Sequence, residues 1–390
     1  MSAWPSLPLG ELCEINVGRT PSRGRADYWD GDIPWLSIAD MRQGRYLATT
    51  KEGISRAAAA AAGKIVPSGT VVLSFKLSIG KVGILTTSMF TNEAIAALPV
   101  RTPKQLLPSY LYWALRAADL SGGANRAAMG EVLNKASLRN LPIPVPPIRA
   151  QRRIAEVLDR ADGLGVKRRQ TLAVLGELER SAFVAAFGDP SVNPYQFPEC
   201  ELAELVSVGD RINYGVVQPG THDEAGVPMI RVGDLTVNGV DRSNLKRISP
   251  LIESQYSRSR IRGNELLVSC VGSVGSVSMV GPEDVGSNIA RAVARVPVDD
   301  DDTRQYLMAY LRTKAAQDYF VRELRTVSQP TLNIKQIAAT RVLVPPPNLL
   351  RKFAIQVGAS NRLEVMHRAH LAGLEVLFAS LQDKAFRGEL

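Results

Sequence analysis

The sequence predicts an α+β protein: two similar mixed α/β domains, separated by two long helices packed as an antiparallel coiled coil. Three observations predict it. The chain repeats itself at a spacing of about 195 to 199 residues, each copy closes on a cluster of prolines, and each cluster is followed by roughly 40 residues of helical periodicity.

The repeat is read residue by residue. Ile33-Pro34-Trp35-Leu36-Ser37-Ile38-Ala39-Asp40-Met41 returns as Val227-Pro228-Met229-Ile230-Arg231-Val232-Gly233-Asp234-Leu235, and Ser78-Ile79-Gly80-Lys81-Val82 as Ser273-Val274-Gly275-Ser276-Val277. Tyr110-Leu111-Tyr112-Trp113 returns as Tyr306-Leu307-Met308-Ala309, Leu133-Asn134 as Leu332-Asn333, and Pro146-Pro147 as Pro345-Pro346. A period this long is a duplicated domain, since solenoid repeats run about 20 to 50 residues.

Within each copy, short β-like runs are broken by Gly and Pro. Val71-Val72-Leu73-Ser74-Phe75 and Leu266-Leu267-Val268-Ser269-Cys270 are strands. Each is followed by a glycine turn and a second apolar run (82–85; 277–280), which predicts a hairpin with an exposed tip. Arg56 to Ala62 is an alanine-rich helical turn, and 108–118 and 304–325 are expected helices. The run Asp299 to Asp302 is expected as a loop. Asn193-Pro194-Tyr195 resembles part of the Asn-Pro-Pro-aromatic motif of amino-methyltransferases, but one proline and the glycine-rich cofactor loop are missing, so it predicts an interdomain turn.

Proline fixes φ and removes a donor, so 142–147 and 344–347 end the two domains. In the stretch beyond the second, Leu371, Leu374, Phe378, Leu381 and Ala385 alternate at spacings of 3 and 4, a coiled-coil seam. The counterpart in the first is Leu172, Leu175, Glu179, Ala182 and Ala186, with Leu178 beside the polar break. The expected organisation is a first domain at 1–147, a helix at 148–189, a second domain at 190–347 and a helix at 348–390. Arg152, Arg153, Arg168 and Arg169 are expected on the outer face of the first helix.

Composition narrows the function. No run of 18 apolar residues exists, so no membrane span is expected. Three scattered cysteines (Cys13, Cys200, Cys270) make neither a disulfide framework nor a zinc site, and a cytoplasmic location is expected. No phosphate loop or catalytic cluster stands out, and no metal is expected at the three histidines, His222, His367 and His370. Net charge is +9, which favours a polyanionic partner. Residues 1–147 hold 16 Lys/Arg against 10 Asp/Glu, whereas 189–346 hold 17 against 19. In the second domain Arg242, Lys246, Arg247, Arg258, Arg260 and Arg262 are drawn together; solvated surface is the bland reading of that run.

Two globular domains, each followed by a proline bracket and a long helix, resemble the specificity subunit of type I restriction–modification systems. The match is carried by Gly18-Arg19-Thr20-Pro21-Ser22, Ile33-Pro34-Trp35, Thr91-Asn92-Glu93-Ala94-Ile95, the bracket 141–147 followed by Gln151, and Phe386-Arg387-Gly388-Glu389-Leu390. The second copy departs from it: only Tyr214-Gly215-Val216-Val217-Gln218-Pro219 stands where the Gly-Arg-Thr-Pro-Ser segment would, and Leu349-Leu350 where the first copy has Ala150-Gln151.

The resemblance implies a non-catalytic DNA-binding subunit in which each domain reads one half of a split double-stranded target. The paired helices set the gap and dock two methyltransferase subunits, then restriction-motor subunits. Adenine-N6 methylation and ATP-dependent cleavage, with S-adenosylmethionine, ATP and Mg, are expected in those partners, and no cofactor in this chain. A change of one base pair in the gap turns the second half-site by roughly 34–36°. The alternatives are a stand-alone DNA methyltransferase or nuclease, and a tandem-domain scaffold that binds no DNA. Candidate DNA contacts in the first domain are Arg19, Thr20, Ser22, Arg23 and Arg25 in one turn and Lys76, Ser78 and Lys81 at the hairpin tip. In the second they are Tyr214, Gln218, Ser273 and Ser276, with Arg231 on the repeated strand. Arg pairs with guanine and Ser or Gln with several base edges, while Lys at a loop tip more often meets phosphate. Asn92 and Asn288 are expected to be equivalent and structural, capping a helix or closing a turn.

Overall fold

The structure, a computed structural model, describes residues 4–76, 78–120, 125–127, 130–237, 239–326 and 330–390. It divides into two compact units, residues 1–168 with 370–390, and residues 169–369. No helix among the described residues is long and apolar enough to cross a membrane.

In the first unit, β1 (Ser6–Pro8), β2 (Asn16–Val17), β3 (Trp29–Leu36), β4 (Tyr46–Leu47) and β5 (Glu52–Ile54) precede helix α1 (Arg56–Ala61). Then come β6 (Val71–Ser74), β7 (Val82–Leu85), β8 (Phe90–Thr91), β9 (Ile95–Leu98), α2 (Pro108–Ala117) and β10 (Pro142–Pro144). The main sheet has the order β2-β9-β6-β7-β4, and a smaller one the order β5-β3-β8. Every residue of β6, β7 and β9 is buried, because both faces of this sheet are covered. Alternation then sorts the side chains into two cores. Val71, Leu73, Ala96 and Leu98 pack against Tyr110, Leu111 and Trp113 of α2, whereas Val72, Ile95 and Ala97 pack against Leu47 and Leu85.

The second unit repeats the plan. Its elements are β11 (Glu199–Glu201), β12 (Asn213–Tyr214), β13 (Val227–Ile230), β14 (Lys246–Ile248), α4 (Pro250–Gln255), β15 (Glu265–Ser269), β16 (Val277–Met279), β17 (Asn288–Ile289) and β18 (Val293–Pro297). The sheets are ordered β12-β18-β15-β16 and β14-β13-β17. Leu266, Val268, Ala294 and Val296 enter one core, and Leu267 and Val293 the other. One buried ion pair has no counterpart in the first unit: Arg295 and Glu265, both fully buried, lie 2.9 Å apart, where Ala97 and Thr70 stand in the first.

The helical segment expected at 304–325 is two helices, α5 (Asp301–Tyr310) and α6 (Lys314–Glu323), with Thr313 capping the second through its side chain. The acidic run is likewise no simple loop. Asp300 accepts a hydrogen bond from Thr303 N at 2.8 Å, and Asp301 and Asp302 form the first helical turn, where negative charge meets the positive end of the helix dipole.

The prolines do not only stop the domains. β10 pairs with β1, and β19 (Arg341–Leu343) pairs with β11, so each domain closes by zipping its last strand to its first. Tyrosine hydroxyls fasten both closures at equivalent places, Tyr110 to Pro144 O at 2.8 Å and Tyr306 to Leu343 O at 2.9 Å.

Two long helices follow, α3 (Ile148–Phe187) and α7 (Pro347–Arg387). Gln151 of α3 is fully buried; it accepts from Leu107 N at 2.9 Å and donates to Gln105 O and Pro146 O. This ties the helix start to its domain. In the first unit Ile154, Ala155 and Leu158 share a core with Ala385, Phe378 and Leu381. In the second, Ala182, Phe183 and Phe187 share one with Leu350, Phe353 and Val357. In both, the start of one helix lies with the end of the other, an antiparallel packing. Leu371, Leu374, Phe378 and Leu381 are half-buried, as are Leu172 and Leu175.

Leu178 corrects the seam: it is 48% exposed, and Glu179 takes the inward position. Spacings of 3 and 4 run from Leu175 through Glu179 to Ala182, so a Leu one place off that series turns outward. Glu179 and Glu364 flank the half-buried Arg312, whose guanidinium donates to Val277 O at 2.9 Å. Burial pushes the Glu179 carboxyl up, and Arg312 pulls it partly back. Beyond α3, Asn193 forms the expected turn, its side chain bridging to Phe197 N and O at 2.9 Å each.

Candidate nucleic-acid interface

The segment after β2 is built on a glycine that nothing can replace. A Cβ on Gly18 would lie 1.9 Å from Thr91 O, because the chain crosses the end of β8 in backbone contact, with Arg19 N donating to Thr91 O at 2.9 Å. Tryptophans then hold the loop from below. Trp35 Nε1 donates to Arg19 O and Trp29 Nε1 to Ser22 O, both at 3.1 Å, and the two rings meet edge to face at 5.1 Å.

The candidate cations of this loop differ in what already holds them. Arg23 lies 3.7 Å above the Trp29 ring and is paired with Glu52, whose carboxyl it holds below its ordinary value. Arg25 is paired with Asp27 and lies over Tyr28. Thr20 donates to Glu93. Arg19 is exposed, and its guanidinium has no hydrogen bond or ion pair among the described residues. Ser22 is exposed on the same loop. The loop is therefore preorganised, with Arg19 as its one uncommitted arginine.

The second copy has the same backbone junction, although its sequence hid it. Gly215 sits where a Cβ would come within 1.7 Å of Ile289 O, and Val216 N donates to Ile289 O at 2.7 Å. Gly215 is thus the equivalent of Gly18, and Val216 of Arg19. Tyr214 consequently lies before the loop, in the strand: its ring packs on the core, and its hydroxyl donates to Leu332 O at 3.2 Å and accepts from Ile334 N at 3.0 Å. This corrects its expected place on the reading face. Gln218 is exposed on the loop.

Arg231 is also held internally. It pairs with Asp234 at 2.9 Å and donates to Asn244 O at 2.8 Å, so its guanidinium braces the turn that Ser37 and Asp40 form in the first copy. The basic run is mostly engaged too, neither a free patch nor plain solvated surface. Arg242 pairs with Asp284, Arg260 with Glu253 and Arg262 with Asp210. Lys246 and Arg247 donate to the carbonyls of Gly220 and Gly226, bracing the segment between β12 and β13. Among these six, Arg258 alone shows no side-chain partner among the described residues.

The two hairpins share a pair of serine hydrogen bonds. Ser74 donates to Ser78 O and accepts from Lys81 N at 2.9 Å; Ser269 donates to Ser273 O and accepts from Ser276 N at 2.8 Å. The tips are less free than expected, since Ile79 and Val274 anchor them in the domain cores. Lys81 donates to Ile38 O at 3.3 Å, and Lys76 sits 5.3 Å from the Phe75 ring. Ser78, Ser273 and Ser276 stay exposed.

Asn92 and Asn288 are not equivalent. Asn92 N donates to Leu36 O at 3.0 Å, as Ala290 N does to Ile230 O at 2.9 Å, so Asn92 matches Ala290, and Asn288 lies two residues earlier. Both are structural in their own ways. Asn92 accepts from Ala94 N at 3.1 Å to close a turn, while Asn288 is fully buried among Ser259, Glu253 and Tyr256. With this register Glu93 and Arg291, both exposed, occupy one station beside the loop. Sequence alignment missed the pair because it matched asparagine to asparagine. Aligning on the turn glycines brings it out.

Residues 1–173 match the family described as type I restriction modification DNA specificity domain. Over its whole length the chain is 28% identical to the EcoBI type I specificity subunit of Escherichia coli, covering 86% of that protein. It is 23% identical to the MjaIX specificity subunit of Methanocaldococcus jannaschii, covering 99% of this chain and 93% of that one. In fold it is similar to the crystal structure of the type I restriction–modification S subunit from M. genitalium, at a TM-score of 0.63 and 15% identity over 99% and 96% of the two chains. Over its whole length, then, the chain is similar to type I restriction–modification specificity subunits, and its first 173 residues match their DNA specificity domain.

Proposed function

We propose that this chain is the sequence-reading subunit of a type I restriction–modification complex, each domain reading one half of a bipartite double-stranded DNA target. The observation that carries the reading is the repeated glycine junction. One backbone frame occurs twice, at Gly18 and Gly215, and displays different side chains each time. Such a frame suits two readers of two different half-sites. In the first domain Arg19 is the prime candidate for a base edge, with Thr20, Ser22 and Ser78 nearby in sequence or on the tip, and Lys76 for phosphate. In the second, Gln218 takes the reading role on the loop, with Ser273 and Ser276 on the tip.

The subunit itself is non-catalytic. Its partners, two methyltransferase subunits and then restriction-motor subunits, supply adenine-N6 methyl transfer and ATP-dependent cleavage, and bind the S-adenosylmethionine, ATP and Mg those reactions use. The helices α3 and α7 act as the spacer, with the arginines at 152, 153, 168 and 169 turned to the methyltransferase or to the DNA backbone. Mapping methylated bases in the DNA of a host expressing the complex tests this. The expected result is one motif of two half-sites separated by a fixed gap. A continuous motif, or methylation without sequence preference, would overturn it.

A further inference from the structure

The two copies differ in charge at one exposed backbone station. In the first unit the turn after β8 runs Asn92-Glu93-Ala94, with Ile95 N donating to Asn92 O at 3.2 Å and Phe75 N to Ala94 O at 3.0 Å. In the second it runs Ala290-Arg291-Ala292, with Val293 N donating to Ala290 O at 2.9 Å and Cys270 N to Ala292 O at 2.7 Å. Four hydrogen bonds thus place Glu93 and Arg291 identically within their domains. Both side chains are exposed, and both stand beside the reading loop: Thr20 donates to Glu93, and Arg291 N donates to Val216 O at 2.8 Å.

The charges across the junction differ: an arginine and a carboxylate in the first copy, a buried valine and an arginine in the second. On the loop the first copy has Arg19 and the second Val216; on the turn the first has Glu93 and the second Arg291. Arg291 makes no side-chain hydrogen bond or ion pair among the described residues, unlike Arg231, Arg242, Arg260 and Arg262. Resting on the proposed reading of the loop face, we propose that this turn position determines base specificity in both domains, with Arg291 taking a guanine edge in the second half-site.

Phosphate is the same in every half-site, so a position that grips it keeps a positive charge in both copies. A carboxylate at Glu93 repels phosphate, yet it accepts from the amino group of cytosine. A station that carries acid in one copy and arginine in the other, on an unchanged backbone, varies as bases vary and as phosphates do not. The arginine supplies the bidentate fork that fits guanine O6 and N7.

The test uses the assembled complex with its methyltransferase subunits. The Arg291 side chain is exposed and makes no hydrogen bond or ion pair among the described residues, so Arg291→Ala is expected to leave assembly intact. Competition binding is measured with a duplex carrying the mapped target and with duplexes changed at each base pair of either half-site. Arg291→Ala is expected to lose discrimination at one base pair of the second half-site by on the order of tenfold or more, with the first half-site read as before. Arg291→Lys, which keeps charge but not the fork, is expected to lose most of the same discrimination. Equal weakening for every duplex, with a shallower dependence on salt, would make Arg291 a phosphate contact and overturn the proposal. Unchanged discrimination would overturn it as well, while leaving the bipartite reading intact. A wild-type complex without preference for the mapped duplex would overturn both.

Discussion

Replacing Phe353 with alanine strikes the joint between helix pair and second domain. The ring is 1% exposed and stands 5.8 Å from Phe183 and 5.2 Å from Phe187, edge to face with each. Those two rings in turn contact Tyr306 of α5. With Tyr310, which meets both Phe183 and Tyr306, five aromatics from α3, α5 and α7 form one cluster, and among the described residues Phe353 is the ring that α7 contributes. Truncating a buried Phe costs about 3–5 kcal/mol through lost transfer energy and the cavity left behind. The value should lie in the upper part of that range, because three rigid rings cannot collapse into the gap.

For a unit of this size each kcal/mol lowers Tm by about 2–4 °C, so a fall of roughly 8–20 °C is expected. Differential scanning calorimetry of the purified chain measures it, and two units predict separable transitions. Phe378→Ala is the comparison in the first unit, where the ring is half-buried against Trp113 at 5.5 Å and should cost less. A loss below about 1 kcal/mol for Phe353→Ala would refute the claim that these rings fasten the helices to the domain.

Three other outcomes follow from the geometry. Gly215→Ala forces a Cβ to within 1.7 Å of Ile289 O and should displace the loop, abolishing reading of the second half-site in methylation mapping; Gly176→Ala in α3 meets open space and should instead stabilise by about 0.5–1 kcal/mol in thermal melts. In acid, the second unit should lose stability steeply. Arg295 holds the Asp210 carboxyl, and Arg260 the Glu253 carboxyl, below their ordinary values, so their contribution is complete above the usual carboxylate range and disappears as pH falls through the lowered values; Arg260→Ala should flatten that dependence in melts between pH 7 and pH 3. Finally, one heptad inserted in each long helix keeps the seam in register and adds about 10 Å, or roughly three base pairs. Methylated sites should keep both half-site sequences across a longer gap, and an unchanged gap in an assembled complex would refute the spacer role.

The duplication, the strand pairs and the paired helices were legible in the sequence because periodicity and proline report burial and backbone directly. What hid was register. Asn92 and Asn288 share a residue type yet sit two positions apart on the frame, and Gly18 and Gly215 share a backbone contact within unlike neighbours. Charge was equally opaque: sequence lists Arg242, Arg260 and Arg262 as cations, but only the fold brings Asp284, Glu253 and Asp210 to them. The seam faltered at Leu178 because hydropathy favours leucine over Glu179, whereas the inward position is set by the 3–4 spacing and by the half-buried Arg312 beside it.

The first unit gathers residues from both extremes of the sequence: Trp4 Nε1 donates to Ala385 O at 3.2 Å, and Ala385 is fully buried in the core that holds Leu9 and Trp113. During synthesis, the N-terminal domain therefore leaves the ribosome without part of its interior. At about 5–20 residues per second, residues 370–390 arrive roughly 10 to 45 s after residue 168. For that interval the apolar surface destined for Phe378 and Ala385 is open, a target for chaperones or for the wrong neighbour. A premature stop at residue 370 would leave the second unit whole and harm the domain made first.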